Sequence, residues 1–199
     1  MENSEDSIAV RAVSVAAIVL AAGASRRLGR PKQKVVLGTE TLLQRAVRVA
    51  RQAGLEPVLV ILRDRSLDES LSGCQTILNP LAEEGIASSI RCGVEQARAQ
   101  GVEGAVLMSC DQIALRPEHL RRLCAQVDRV TGSGYDGKIG IPAYFPALSF
   151  EALLRLRGDR GARDLLSDAA FVTEEALRID VDTEVDLEHA RAWLKAEEA

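Results

Sequence analysis

Residues 20–32 read Leu-Ala-Ala-Gly-Ala-Ser-Arg-Arg-Leu-Gly-Arg-Pro-Lys, so two glycines, a hydroxyl and four cations fall within the length of one loop. Gly23 and Gly29 let the backbone turn its N–H groups toward an anion with no Cβ in the way. Arg26, Arg27, Arg30 and Lys32 add positive charge around the same point. Phosphate is the guest such a loop suits. Residues 16–21 form an unalternating apolar run, the pattern of a strand buried on both faces of a parallel sheet, which puts the loop at a strand's carboxyl end. Two familiar phosphate loops do not fit: Gly23-Ala24-Ser25 breaks G-x-G-x-x-G, and Gly29 is followed by Arg30-Pro31 instead of the Lys-Ser/Thr of a P-loop. An ordinary basic strand-to-helix turn is the rival reading. The fixed types Leu20, Ala21, Ala22, Gly23, Ser25, Arg27, Gly29 and Lys32, directly after a buried strand, favour the phosphate site over it.

A phosphate site that does chemistry needs carboxylates to hold a divalent cation. The segment Gly104-Ala-Val-Leu-Met-Ser-Cys-Asp-Gln runs as an apolar strand and then presents Asp111 at its carboxyl end. The run Asp180-Val-Asp-Thr-Glu-Val-Asp-Leu offers a second carboxylate, Asp182 in preference to Asp180. The same run also reads as a helix start, capped by Asp182 or Thr183, with Glu184 and Asp186 favoured by the dipole of the first turn. Three further constellations carry polar groups. Asn79-Pro80 precedes Gly85-Ile-Ala-Ser-Ser-Ile, a helix start whose N–H groups and hydroxyls on Ser88 and Ser89 suit a base edge, ribose or phosphate, or serve as plain N-caps. Gly140-Ile-Pro142 lies on a strand, and Gly158-Asp159-Arg160-Gly161-Ala-Arg163 sets two arginines facing a phosphate monoester, or a salt-bridged loop.

The elements that must position these residues alternate along the chain. Strands are predicted at 16–21, 57–62, 74–78, 104–109, 139–145 and 177–181, and helices at 40–53, 86–100, 117–130, 149–157, 161–168 and 184–197. That order is an α/β fold, a mostly parallel sheet with helices on both faces. The turn-rich segment 131–138 is predicted to loop over the sheet's carboxyl edge. In the first helix Leu42, Leu43, Ala46, Val47, Val49 and Ala50 share one side while Arg45, Arg48 and Arg51 form a solvated face. Length, 199 residues, suits one domain over 15–199 behind a flexible segment, 1–14. A formal net charge of −4 excludes general attraction to nucleic acid. No apolar run is long enough for a membrane helix, and the acidic Met-Glu-Asn-Ser-Glu-Asp start is unlike a signal peptide, so a cytoplasmic protein is expected. Cys74, Cys92, Cys110 and Cys124 form no C-x-x-C pair and read as reduced, half-buried thiols; His119 and His189 sit in no nucleophile motif.

The spacing L-A-A-G-x-S-x-R-x-G-x-x-K resembles the signature loop of the MobA/MocA-like nucleotidyltransferases, which attach a nucleotide to molybdopterin. Cys110-Asp111-Gln112 is similar to the group's C-D-Q-P, with Ile113 in place of Pro; 180–187 is similar to D-I-D-T-P-E-D-L, and 158–163 to G-D-K-G-A-R. The stretch from Asn79 is similar to N-P-x-W-x-x-G-M-S-S-S-L, with Leu81-Ala82 where an aromatic is usual and Ala87 for the first Ser. Lys34 stands where the group usually has Leu. The resemblance implies the three-layer Rossmann-like fold of nucleotide-diphospho-sugar transferases. It implies Mg²⁺ on Asp111 and Asp182, with Lys32, Arg27 and Asp111 as catalytic residues. The nucleotide then lies on Leu20, Ala21, Ala22, Gly23, Ser25, Arg27, Lys32, Asn79, Gly85, Ser88 and Ser89. The acceptor lies on Gly140, Pro142, Asp159, Arg160, Gly161 and Arg163. L-A-A-G belongs to the cytidylyl enzymes and L-A-G-G to the guanylyl ones, so the expected reaction moves CMP from CTP to molybdopterin, for delivery to a client molybdenum hydroxylase. Alternatives are a GTP-using enzyme, a sugar- or polyol-phosphate transferase of the same fold, and a noncatalytic cofactor carrier.

Overall fold

The computed structural model of the chain describes residues 13–66 and 71–197, so nearly all of the predicted flexible start lies outside the described residues. In chain order the strands are β1 (Val15–Leu20), β2 (Val36–Leu37), β3 (Glu40–Thr41), β4 (Val58–Leu62), β5 (Gln75–Leu78), β6 (Gly104–Ser109), β7 (Thr131–Tyr135), β8 (Lys138–Pro146) and β9 (Ala170–Thr173). The helices are α1 (Leu42–Gln52), α2 (Ile86–Ala99), α3 (Pro117–Leu123), α4 (Phe150–Leu154), α5 (Arg163–Leu166) and α6 (Glu184–Glu197). Seven strands form one sheet in the order β5-β4-β1-β6-β8-β7-β9, while β2 and β3 pair separately. β1 pairs in parallel with β4 and β6, and β4 with β5. β8 runs antiparallel to both its neighbours, and β7–β9 is parallel again.

The unalternating apolar run of β1 has its cause in this layering. Ala17 and Val19 point to a core shared with Leu43, Val47 and Ala50 of α1 and Leu120 and Leu123 of α3. Ala16 and Ile18 point to the other face, where Ile90, Val94 and Ala97 of α2 pack with Phe150 and Leu153 of α4. Gly93 of α2 sits over Ile18 so closely that a Cβ would lie 2.4 Å from its Cγ2, which sets the helix-to-sheet distance. The six apolar positions expected in α1 are the six it buries, and Thr41 caps it in a reciprocal box with Gln44. A third cluster lies at the carboxyl edge: Leu28, Val35, Leu37, Leu42, Ile113, Val181, Leu187 and Ala190, with Trp193 and Leu194 partly buried against it. No helix among the described residues is long and apolar enough to cross a membrane.

Four expectations are corrected. Residues 177–181 form no strand; a 3-10 helix over Glu175–Arg178 gives way to a single antiparallel bridge between Gln112 and Asp180. The chain there must travel from the β9 edge back across the sheet to α6, so it cannot stay in a ladder. Most of segment 131–138 is a strand, β7 (Thr131–Tyr135), and only the Asp136-Gly137 turn that leads into β8 lies at the carboxyl edge. α3 stops at Leu123 because the apolar spacing ends there, with Val127 exposed. Cys110 is buried, not half-buried, and burial, with the negative charge of Asp111 beside it, pushes its thiol up to about 12.

One buried polar relay locks α3 to β7 and β8. Ser133 Oγ donates to the Pro142 carbonyl, so its lone pairs accept from His119 Nε2 at 2.7 Å, which fixes the neutral Nε2–H tautomer. His119 Nδ1 has no hydrogen-bond partner among the described residues. Burial, with Arg122 nearby, lowers the ring's pKa from 6.5 to about 4. The unfolded chain therefore takes up this proton below about 6.5 and the folded one not until about 4, so this contribution to stability is intact above pH 6.5 and declines as pH falls through that window. Urea denaturation at pH 7 and pH 4.5 is expected to show wild type losing about 2–3 kcal/mol more than His119→Gln, which cannot take up the proton. Equal losses in the two proteins would mean that the ring is not held neutral.

Candidate functional site

Register decides what meets at the carboxyl edge. Leu20 of β1 pairs with Ser109 of β6 in parallel, so the basic loop and the Cys110-Asp111 turn leave the sheet side by side. The loop is then folded on itself. The buried Gln33 donates its amide to the carbonyls of Ala21 and Gly23, the latter at 3.1 Å. Ser25 takes a left-handed conformation, φ 49°, and its hydroxyl accepts from Lys32 N at 3.0 Å. Its carbonyl accepts from the N–H groups of Leu28 and Gly29, both at 3.2 Å. The Gly29 N–H is thus spent inside the loop, and the positive φ of 71° is what the glycine supplies.

The loop's fold delivers Lys32 to two carboxylates. Its Nζ lies 2.7 Å from Asp111 Oδ2 and 2.6 Å from Asp182 Oδ1, and Arg27 pairs with the second oxygen of Asp182. Burial alone lowers the lysine's pKa, but the charge of Asp111 and hydrogen bonds to both carboxylates outweigh it, and the pKa is raised. Lys34 is exposed, and it is Lys32 that reaches the two carboxylates. The cap of α6 falls to Thr183. Asp186 accepts from the Thr183 N–H at 2.8 Å and its hydroxyl at 2.7 Å, and donates its own N–H back to Thr183 Oγ1 at 3.2 Å. Asp182 is thereby left with its side chain turned to the cations. Asp180 faces a different space; burial, then the charges of Asp111 and Asp182, raise its pKa.

Two clefts adjoin at this point. A smaller one of about 440 Å³ is lined by Leu20, Ala22, Gly23, Ser25, Lys32, Gly85, Ser89 and Asp111. A larger one of about 820 Å³ is lined by Gly140, Asp159, Arg160, Gly161 and Arg163. Leu20, Ile86, Ile141 and Asp159 line both. Sequence reasoning missed several wall residues: Arg63 and Glu83 on the smaller cleft, and Tyr135, Lys138 and Arg178 on the larger. Arg63 follows β4 and donates from Nε to the Ala22 carbonyl at 3.1 Å while pairing with Glu83. Its place was open to inference, since it ends a neighbouring parallel strand at the same edge. Gln112 donates to the Ile141 carbonyl at 3.0 Å and to Tyr135 Oη at 3.3 Å, tying the Asp111 turn to β7 and β8.

Four of the expected contact residues stand behind the walls. Pro142 is buried and its carbonyl serves Ser133. Ala21 backs the loop on a separate hollow of about 280 Å³. Asn79 is 3% exposed; its Nδ2 donates to Ser88 and Ser89 hydroxyls at 2.9 and 3.0 Å, and its Oδ1 accepts from Leu81 N at 3.0 Å. Ser88 donates in turn to the Gly85 carbonyl at 2.8 Å. The start of α2 is consequently a braced corner, not a row of free donors. Arg27 and Asp182 meet the smaller cleft through Lys32. The corner also seats the 158–163 turn: Ala87 N donates to the Gly158 carbonyl at 3.1 Å.

The chain is similar to several known proteins. A family model described as a MobA-like NTP transferase domain matches residues 17–176. An Opitutus terrae protein named "Probable molybdenum cofactor guanylyltransferase" is 29% identical over 196 residues, 96% of each chain. The Bacillus subtilis "Purine catabolism protein PucB" is 29% identical over 181 residues, 85% of this chain and 88% of that one. The crystal structure of Rv0371c from Mycobacterium tuberculosis superposes with a TM-score of 0.79 at 28% identity, covering 90% and 98% of the two chains; the same protein has been crystallised in complex with manganese.

Gly85 holds the two clefts together. Its φ is 104°, and a Cβ there would lie 2.4 Å from Asp159 Oδ1 and 2.6 Å from the Gly158 backbone. Gly29 shares the positive φ, but nothing lies within 4 Å of an added carbon. Gly85→Ala is expected to cost about 2–3 kcal/mol in urea denaturation and Gly29→Ala about 1 kcal/mol. A larger loss at Gly29 would contradict the seating of the turn on α2.

Proposed function

The chain belongs to the MobA-like NTP transferase family, and on that premise we propose that it transfers CMP from CTP to the terminal phosphate of molybdenum-bearing molybdopterin, releasing pyrophosphate. The observation that carries the reading is the meeting of Lys32, Asp111 and Asp182 where two clefts adjoin, one walled by the basic loop and one by Arg160 and Arg163. A phosphate oxygen of the acceptor attacks the α-phosphorus, a new P–O bond forms, and the bond to the bridging oxygen of pyrophosphate breaks. Both reactants are anions, so the protein's work is positioning and charge neutralisation. The loop amides and Ser25 cradle the nucleotide, Lys32 balances charge at the triphosphate, and Arg27 steadies Asp182. Arg160 and Arg163 grip the acceptor phosphate, with Asp159 orienting them. Asn79 and Ser88 hold the corner that Ser89 presents to the nucleotide.

The donor set fits a divalent cation. Asp111 and Asp182 already converge on one positive atom, at 2.7 and 2.6 Å. Two carboxylates leave the other positions of an octahedral ion to phosphate oxygens and water, as Mg²⁺ prefers. Mg²⁺ held there supplies neutralisation of the triphosphate oxygens. The protein is read as one domain over 15–199 in a cytoplasmic setting.

Selection of CTP rests on Ala22. Its methyl lines the smaller cleft where the guanylyl group has only hydrogen, and its carbonyl is held by Arg63. GTP is the second reading, favoured by the name of the Opitutus relative. Pyrophosphate release measured with CTP and with GTP, with and without molybdopterin, tests both. Molybdopterin-dependent release with CTP is expected, and a preference for GTP assigns the chain to the second reading. Ala22→Gly is expected to move the CTP-to-GTP ratio toward GTP by about tenfold. Asp111→Asn is expected to lower turnover about a hundredfold or more while the acceptor still binds. Acceptor binding with no release from any triphosphate would make the protein a carrier.

A further inference from the structure

The ammonium of Lys32 occupies the point on which Asp111 and Asp182 converge, at 2.7 and 2.6 Å. The proposed reaction asks those oxygens to hold a divalent cation, and an ammonium and a metal ion cannot share them. Burial makes the competition sharp. The Lys32 and Asp111 side chains are 15% and 16% exposed, so water screens the pair weakly, and a bare metal ion must first separate a desolvated ion pair. Arg27 keeps its hold on the other oxygen of Asp182 and adds a second positive charge against an arriving cation. A metal ion that arrives on a triphosphate meets the opposite situation. The triphosphate offers the displaced ammonium a new anionic partner within the same cleft, since Lys32 and Asp111 line it together.

We propose that Lys32 is an internal counterion that closes the Asp111–Asp182 pair to free divalent metal in the nucleotide-free protein, so that metal and triphosphate enter together and the lysine passes from the carboxylates to the phosphates. The inference rests on the proposed function for the metal's role, but its test does not need turnover. Mn²⁺ is titrated into nucleotide-free protein, and the free ion is followed by electron paramagnetic resonance. Lys32→Met and Lys32→Gln, two neutral replacements of different polarity, are each expected to bind one Mn²⁺ at least about tenfold more tightly than wild type. Lys32→Met combined with Asp111→Asn is expected to lose the gained site. In wild type, a non-hydrolysable α,β-methylene triphosphate is expected to hold its one Mn²⁺ at least about tenfold more tightly with the protein than in buffer. Three results would overturn the proposal: nucleotide-free wild type binding Mn²⁺ as tightly as the neutral variants, the double variant keeping the gained ion, or the analogue's ion being held no more tightly with wild type than in buffer. Circular dichroism of each variant confirms that it is folded, and the analogue titration on wild type decides the matter if neither variant is. Failure of the proposed function shows instead as absent pyrophosphate release, whatever the Mn²⁺ titrations give.

Discussion

One ammonium between two carboxylates ties together parts of the chain that are otherwise distant. Lys32 comes from the loop after β1, Asp111 from the turn after β6 and Asp182 from the approach to α6, separated by 79 and 150 residues from the lysine. Ion pairs of this burial gain little net stability, because desolvation consumes most of the attraction. What holds the three groups in place is apolar. Leu28 and Val35 flank Lys32 in sequence, Ile113 follows Asp111, and Val181 precedes Asp182, and all four pack in the same cluster with Leu187 and Ala190 of α6. The charges sit on a platform drawn from the segments that carry them, so apolar burial sets the geometry and the charges are free to serve chemistry.

The sheet supplies the other constraint. Because β1 and β6 are parallel and in register at Leu20 and Ser109, their loops must emerge together; β4 and β5 end at the same edge with Arg63 and Asn79. β8 runs the other way, so it is its beginning, Gly140 and Ile141, that reaches this edge. Gln112 stitches the two orientations by donating to the Ile141 carbonyl. The smaller cleft is therefore walled by parallel strand ends and the larger by the antiparallel insertion and the 158–163 turn.

Much of this was legible in the residues. Apolar runs located the four parallel strands within a residue or two, and glycine with arginine and lysine marked the loop. What escaped was decided by tertiary pairing. β7 is Thr-Gly-Ser-Gly-Tyr, glycine-rich enough to read as a loop, and it is a strand because β8 and β9 flank it and because Ile139 and Phe171 fill the spaces above Gly132 and Gly134. β9 is four residues long and has no helical or strand periodicity to announce it. Residues 177–181 alternate like a strand, yet Leu177, Ile179 and Val181 use that alternation to pack on two separate clusters along a crossing segment. Asn79 and Ser88 were legible as a pair of polar positions, but not that they would satisfy each other. Spacing reports which groups are near; it does not report whether a hydroxyl's proton is spent inward.

The same distinction separates the two halves of the site. Around the smaller cleft the polar groups are committed to one another: Gln33 to the carbonyls of Ala21 and Gly23, Ser25 to Lys32 N, Asn79 to both serines, Arg63 to Ala22. A cleft built this way is rigid, and what it offers a ligand is backbone shape, one methyl, the hydroxyls of Ser25 and Ser89 and a movable ammonium. The larger cleft is built from side chains on turns and at the ends of short elements, with Lys138, Arg160, Arg163 and Arg178 set against Asp136, Asp159, Asp164 and Asp180. Substitutions there change charge without disturbing the sheet, because turns carry few of the core contacts. In the proposed reaction the nucleotide half answers to the chemistry, since the α-phosphorus must meet this lysine and these carboxylates. The acceptor half is where one fold is fitted to one phosphate ester and not another.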